Sequence, residues 1–224
     1  MKRILTALLP LLLAVTACEL PEDNFYIDNI EDYLTYEDGN LKSDSGIVFV
    51  VTSDHTDGNW KTPGGRIYAL FDVLNSKLEI NLSSYAKCII QDPVPGIDES
   101  LEPKDPVQIL DCGIGGRGHL NVIYTYYSVD GTECPHDITL GWDLNNTTLR
   151  LQLIHEGNGE NPALMDEESL VQHTKVYSFY IGNLVPEGES RLVTLTADVL
   201  EKNDEGAYVV KRSTAAVYNS MVQF

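Results

Sequence analysis

The chain has 224 residues, with 34 acidic against 15 basic side chains and a formal charge of −19. A chain that acidic, without a Lys/Arg cluster, excludes the phosphate-neutralising chemistry of nucleic-acid binders. Its length suits one large domain or two small ones, and no segment offers the ~20 apolar residues of a membrane-spanning helix.

The N-terminal segment reads as a bacterial lipoprotein leader. Lys2 and Arg3 supply positive charge, Ile4 to Val15 is apolar, and small Thr16 and Ala17 precede Cys18. Glu19, Pro21, Glu22 and Asp23 follow at once and end any helix. Residues 1–17 are therefore expected to be removed as a signal peptide, with Cys18 lipidated and the body held to a membrane through that lipid. Each buried CH₂ of such a chain contributes about 0.8 kcal/mol to anchoring.

Residues 18–45 are acidic and turn-rich and are expected to form a tether, with Phe25, Tyr26, Tyr33 and Tyr36 packing part of it on the body. From Gly46, runs rich in Val, Ile, Tyr and Thr recur between Gly, Asn, Asp and Pro, the pattern of an all-β chain. Runs at 46–53, 66–74, 77–83 and 87–91 predict a small closed barrel over 46–92. Pro93, Pro95, Pro103 and Pro106 then interrupt. Proline lacks the backbone donor, so 93–106 is expected to stay out of a sheet interior and to link two domains.

Cleaner alternation follows over 120–127, 138–142, 149–153, 176–181, 192–200 and 208–212, with Asp130-Gly131 as a hairpin turn. These predict an antiparallel β-sandwich over 107–224. Only Ala163 to His173 has near-helical spacing, which predicts one short connecting helix.

Chemistry-bearing patterns are sparse. Gly113 to Gly118 matches the spacing of a dinucleotide fingerprint, yet that motif needs a helix at its third glycine, and His119 to Tyr126 alternates as a strand. The glycines are read as a hairpin turn, and no cofactor is expected. Asp54 to Asn59 resembles a calcium loop only loosely, lacking alternating ligands and the distal glutamate. No Cys-x-x-Cys or His-x-x-x-His pair points to zinc, and no metal site is expected. Trp60, set in a polar Gly/Pro context, reads either as a cap on the barrel end or as a stacking surface for a sugar or peptide. Cys88 reads as a small buried hydrophobe. Cys112 and Cys134 form a disulfide only if their strands are neighbours, which the sequence leaves open.

At Asp105-Pro106-Val107-Gln108-Ile109-Leu110-Asp111, then Ile114-Gly115 and Leu120-Asn121-Val122, the chain resembles the NigD-like lipoproteins of Bacteroides and related bacteria. Gly113 and His119 stand where that family's hairpin carries aromatics. The resemblance implies an N-terminal OB-like barrel, a C-terminal sandwich and no established activity. It transfers no functional residue except Cys18. Glu19, Glu22 and Asp23 loosely resemble the signal that sends such lipoproteins to the outer face, so an outer-membrane lipoprotein is expected, facing either outward or the periplasm.

The function expected from these features is non-enzymatic binding of a glycan, a peptide or another envelope protein. Two rivals are an envelope hydrolase or metal-assisted enzyme using His55, Asp57 or His136, and a structural spacer in a membrane complex.

Overall fold

A computed structural model describes residues 25–97, 105–129, 136–157, 170–186 and 189–217. Residues 1–24, with Cys18 and the segment expected as a leader, and Cys134 and the turn expected at Asp130-Gly131 lie outside them. The described residues form 14 strands and no helix.

Five strands close a barrel in the order β1-β2-β3-β5-β4: β1 (Ile27–Glu37), β2 (Asn40–Ser43), β3 (Val48–Asp54), β4 (Arg66–Val73) and β5 (Glu79–Lys87). The β3–β5 pair is parallel and the others are antiparallel, the connectivity of an OB fold. Its core gathers Ile30, Leu34, Leu41, Phe49, Ile67, Phe71, Ile80 and Leu82.

The barrel thus begins at residue 27, and the stretch expected as a tether supplies two of its strands. Asp38 and Gly39 both take positive φ, 49° and 84°, so Glu37-Asp38-Gly39-Asn40 is a two-residue hairpin turn. Acidic residues on the outer face hide an inward set of Ile30, Leu34 and Leu41. Asp32 departs from that set. It lies opposite buried Ala69 and is itself half-buried; burial, with the Asp44 charge adding and the Tyr33 amide and Arg66 opposing, pushes its carboxyl up to about 7.

The second module stacks two sheets. One orders β14-β13-β11-β10-β7, the other β6-β12-β9-β8. Their members are β6 (Ile89–Gln91), β7 (Val94–Pro95), β8 (Gln108–Ile114), β9 (His119–Val129), β10 (Asp137–Leu144), β11 (Thr148–Glu156), β12 (Leu170–Tyr180), β13 (Leu192–Lys202) and β14 (Tyr208–Ala216). Leu120, Val122, Tyr124, Leu140, Leu151, Phe179 and Leu195 fill the space between. Most pairings are antiparallel, while β6–β12, β7–β10 and β11–β13 run parallel.

Two expectations change here. Residues 89–91 leave the barrel to pair with β12, and Val94–Pro95, expected within the linker, pairs with β10 at Gly141 and Trp142. Both segments sit at sheet edges, where a proline's missing donor faces no partner strand. Of the segment expected as a helix, Leu170 to His173 is strand paired with β9, and 163–169 lies outside the described residues.

Candidate binding site

The turn after β3 is built from two carboxylates that bond their own backbone. Asp54 accepts from the Thr56 amide and hydroxyl and from the Trp60 indole at 3.0 Å. Burial would raise the Asp54 carboxyl, but these bonds outweigh it and hold the group below its usual range. Asp57 accepts from the Asn59 amide at 3.0 Å, the Asn59 side chain at 2.7 Å and the Tyr85 hydroxyl at 2.6 Å. Those bonds, Tyr85 first, lower the Asp57 carboxyl and push the Tyr85 phenol up to about 12. Tyr85 therefore stays a donor and Asp57 an acceptor through the neutral range.

Facing this turn is the second half of β5. The β4–β5 register pairs Leu70 with Ser84 and Phe71 with Leu82, leaving Ser83 as an extra, bulged residue. A bulge breaks strict alternation, and Ser83 and Ser84 are consecutively exposed as a result. Turn and strand enclose a shallow open cleft of about 480 Å³ lined by His55, Asp57, Asn59, Ser83, Ser84, Tyr85 and Lys87 among others.

The residues singled out from the sequence distribute unevenly. His55 and Asp57 share the cleft, but Asp57 is bonded to Tyr85 and Asn59, and His55 Nε2 lies 3.3 Å from Ser53 Oγ. Trp60 is 2 % exposed and packs edge-on against Tyr36, with ring centroids 5.4 Å apart. It is the barrel cap, and the stacking surface expected of it is turned inward. His136 belongs to the other module, buried under Tyr126 at 4.4 Å and bonded to His155 at 2.9 Å. Among the described residues no three His, Cys, Asp or Glu side chains converge as metal ligands. Cys88 and Cys112 are free thiols, each pushed up to about 12 by burial, which makes both poor nucleophiles.

The glycine segment has a purpose the spacing alone did not show. It turns β8 into β9 as expected, and it also docks the sandwich on the barrel. A Cβ on Gly115 would fall 1.9 Å from Asp44 Oδ2, and one on Gly116 2.7 Å from the Asp44 carbonyl oxygen. Asp44 is there because Arg66, 3 % exposed, forks onto both its oxygens at 2.8 and 2.9 Å. The same guanidinium donates to Thr35, Ser178 and Asn121, and Asn121 donates to Asp44. All five guanidinium donors are used. Arg117 adds a bond to Glu37 at 2.7 Å. Barrel and sandwich are thus joined through a buried, fully satisfied polar node.

Sequence reasoning missed Ser83, Ser84, Tyr85 and Lys87, which read as ordinary strand residues. It also missed Arg66 and Asp44, whose partners lie in distant segments. A turn carrying Asp-x-Asn beside an exposed aromatic strand was the available signal for the cleft.

No family model and no curated protein matches the chain. Solved structures do resemble it. A protein of unknown function from Bacteroides vulgatus aligns over 89 % of this chain and 94 % of its own, at a TM-score of 0.58 and 16 % identity. A NigD-like immunity protein from Bacteroides caccae aligns over 83 % and 91 %, at 0.56 and 19 %. A candidate lipoprotein from Bacteroides fragilis aligns over 87 % and 100 %, at 0.55 and 12 %. At these identities the likeness is one of fold. Structural neighbours of the chain thus include a NigD-like protein, in agreement with the resemblance carried by residues 105–122.

Proposed function

We propose that the chain is a lipid-anchored lipoprotein of the outer membrane, related to the NigD-like proteins, that works by binding a glycan, a peptide or another envelope protein. The observation that carries the binding reading is the bonding of Asp57. Its oxygens are held by Tyr85 and Asn59 instead of orienting His55, so the cleft is braced for contact and not arranged as an acid–base pair. The third group a hydrolase would have drawn on, His136, is buried in the other module. The anchor reading rests on the leader ending at Cys18 and is supported by a neighbour described as a candidate lipoprotein.

Fatty-acid labelling and membrane fractionation test the anchor: the intact chain incorporates label and sediments with membranes, and Cys18→Ala does neither. Glycan arrays and pull-downs with residues 19–224 test the binding. Uniformly negative results at high micromolar concentration contradict it.

A further inference from the structure

We propose that the cleft between the 54–60 turn and the bulged half of β5 is a carbohydrate site, taking a neutral glycan through its hydroxyl groups. The assignment deepens the binding reading above and rests on it.

Four observations lead to that ligand class. First, the lining is made of groups that exchange hydrogen bonds with hydroxyls: Ser83 and Ser84, Asn59, and the Asp57 carboxylate. Asp57 Oδ2 takes one bond, from the Asn59 side chain, and an ionised oxygen offers more than one acceptor site. Capacity therefore remains on its exposed side.

Second, charge in the cleft is balanced. Asp57 and Lys87, one acid and one base, both line it, in a chain whose formal charge is −19. Such local neutrality gives no net pull on an ionic ligand.

Third, the groups are held before any ligand arrives. The carboxylate is fixed by Tyr85 and Asn59, the turn by Asp54 through Thr56 and Trp60. The two serines are re-aimed by a backbone bulge and not by flexible side chains. Preorganisation of this kind removes the ordering cost that weakens polar recognition. Tyr85, half-buried against the barrel core, adds a rigid ring at the cleft wall. The volume of about 480 Å³ lies within the ~300–1,000 Å³ of small-ligand sites.

Fourth, the cleft lacks side-chain anchorage for a peptide. One edge of β5 beyond Leu82 is open, since residues 83–87 pair only with β4, but no Leu, Ile, Val, Met or Phe side chain lines the cleft as an anchor pocket for a peptide side chain.

Affinity electrophoresis of the full chain in detergent tests the assignment, using native gels cast with mannan, xylan, β-glucan or starch, and with polylysine or polyglutamate as charged probes. Ser84→Trp fills the cleft from its exposed rim, and Asn59→Ala removes one hydroxyl contact. Lys211→Ala on β14 serves as a distant control. The expected result is retardation by at least one neutral polysaccharide, weakened at least about tenfold, or ~1.4 kcal/mol, by Ser84→Trp. Asn59→Ala weakens it less and the control leaves it unchanged. Retardation confined to a charged polymer and abolished by Ser84→Trp overturns the carbohydrate assignment while the binding reading stands. Retardation by neutral polymers that Ser84→Trp leaves intact overturns the placement of the site. No cleft-dependent retardation on any polymer overturns the carbohydrate assignment outright, and the pull-downs above then decide the binding reading separately.

Discussion

The junction and the cleft use the same kinds of side chain to opposite ends. At the junction, Arg66, Asp44, Asn121 and Ser178 are buried and spend their hydrogen bonds on one another. In the cleft, Asp57, Asn59, Ser83 and Ser84 are exposed and only braced. The contrast teaches that polarity alone does not mark a binding site in this fold. What separates the two is whether capacity is left over for something outside the chain. Buried polar groups without partners cost heavily, so the junction is complete. Exposed ones cost little, so the cleft can keep valences open.

Breaking the junction is the largest effect expected. Arg66→Met strands a buried carboxylate and costs about 3–5 kcal/mol in urea unfolding. The double variant Arg66→Met/Asp44→Leu removes both charges and recovers part of that loss. Should the double variant be no better than the single one, Asp44 is not the stranded group. Gly115→Ala comes next. Its Cβ meets Asp44, which cannot yield while Arg66 grips it, so a loss of roughly 1–3 kcal/mol is expected. Gly113→Ala, where a Cβ meets nothing within 4 Å, serves as the mild comparison.

A smaller effect depends on pH, and its two limbs have opposite signs. His119 is lowered to about 4 by burial, with the Arg66 charge adding, and His155 is lowered by burial and by His136. Their folded values lie below the unfolded value of ~6.5, so the unfolded chain binds protons first. Stability from these residues is complete above about 6.5 and is lost as pH falls below it, for His119 towards about 4. Asp32 behaves the other way. Its folded value of about 7 lies above the unfolded ~3.9, so its contribution is complete below ~3.9 and is lost as pH rises through 7. Asp32→Asn is expected to raise stability at pH 8 by on the order of 1 kcal/mol, discounted for its partial exposure, and to leave pH 4 unchanged. Unfolding midpoints at pH 4, 6 and 8 check this. Equal gains at all three would place the Asp32 effect outside its ionisation.

The smallest effect belongs to the cleft. Ser84→Trp is expected to leave stability within about 0.5 kcal/mol while removing ligand binding. A large stability loss there would make the cleft a structural element like the junction.

How much of this was legible in the sequence follows from how local each signal is. Alternation along Leu120 to Tyr127 and the hairpin glycines are read within one segment, and both strands of that hairpin are present. The all-β class, the barrel and the sandwich rest on such signals. The start of the barrel does not show in the sequence, because acids on the outer face of β1 mask the inward Ile30 and Leu34, and the Asp38-Gly39 turn has the composition of a tether. Residues 89–95 were assigned to barrel and linker because their partners, Tyr177 to Phe179 and Gly141 to Trp142, lie far along the chain. Trp60 was legible as a large aromatic in a polar loop, but its bond to Asp54 decides that it faces inward. Arg66 showed no signal at all, since five hydrogen bonds to four residues in four separate segments define its role.

The chain carries two tryptophans, Trp60 in the barrel core and Trp142 against the sandwich core, which makes the union of the modules directly measurable. Urea unfolding followed by fluorescence in Trp142→Phe reports the barrel, and in Trp60→Phe the sandwich, each referenced to the overall transition by circular dichroism. If the Arg66–Asp44 node joins the modules into one cooperative body, each fluorescence curve coincides with its own circular dichroism curve, and adding Arg66→Met pulls them apart. Fluorescence and circular dichroism transitions that already separate while Arg66 is intact would contradict the account.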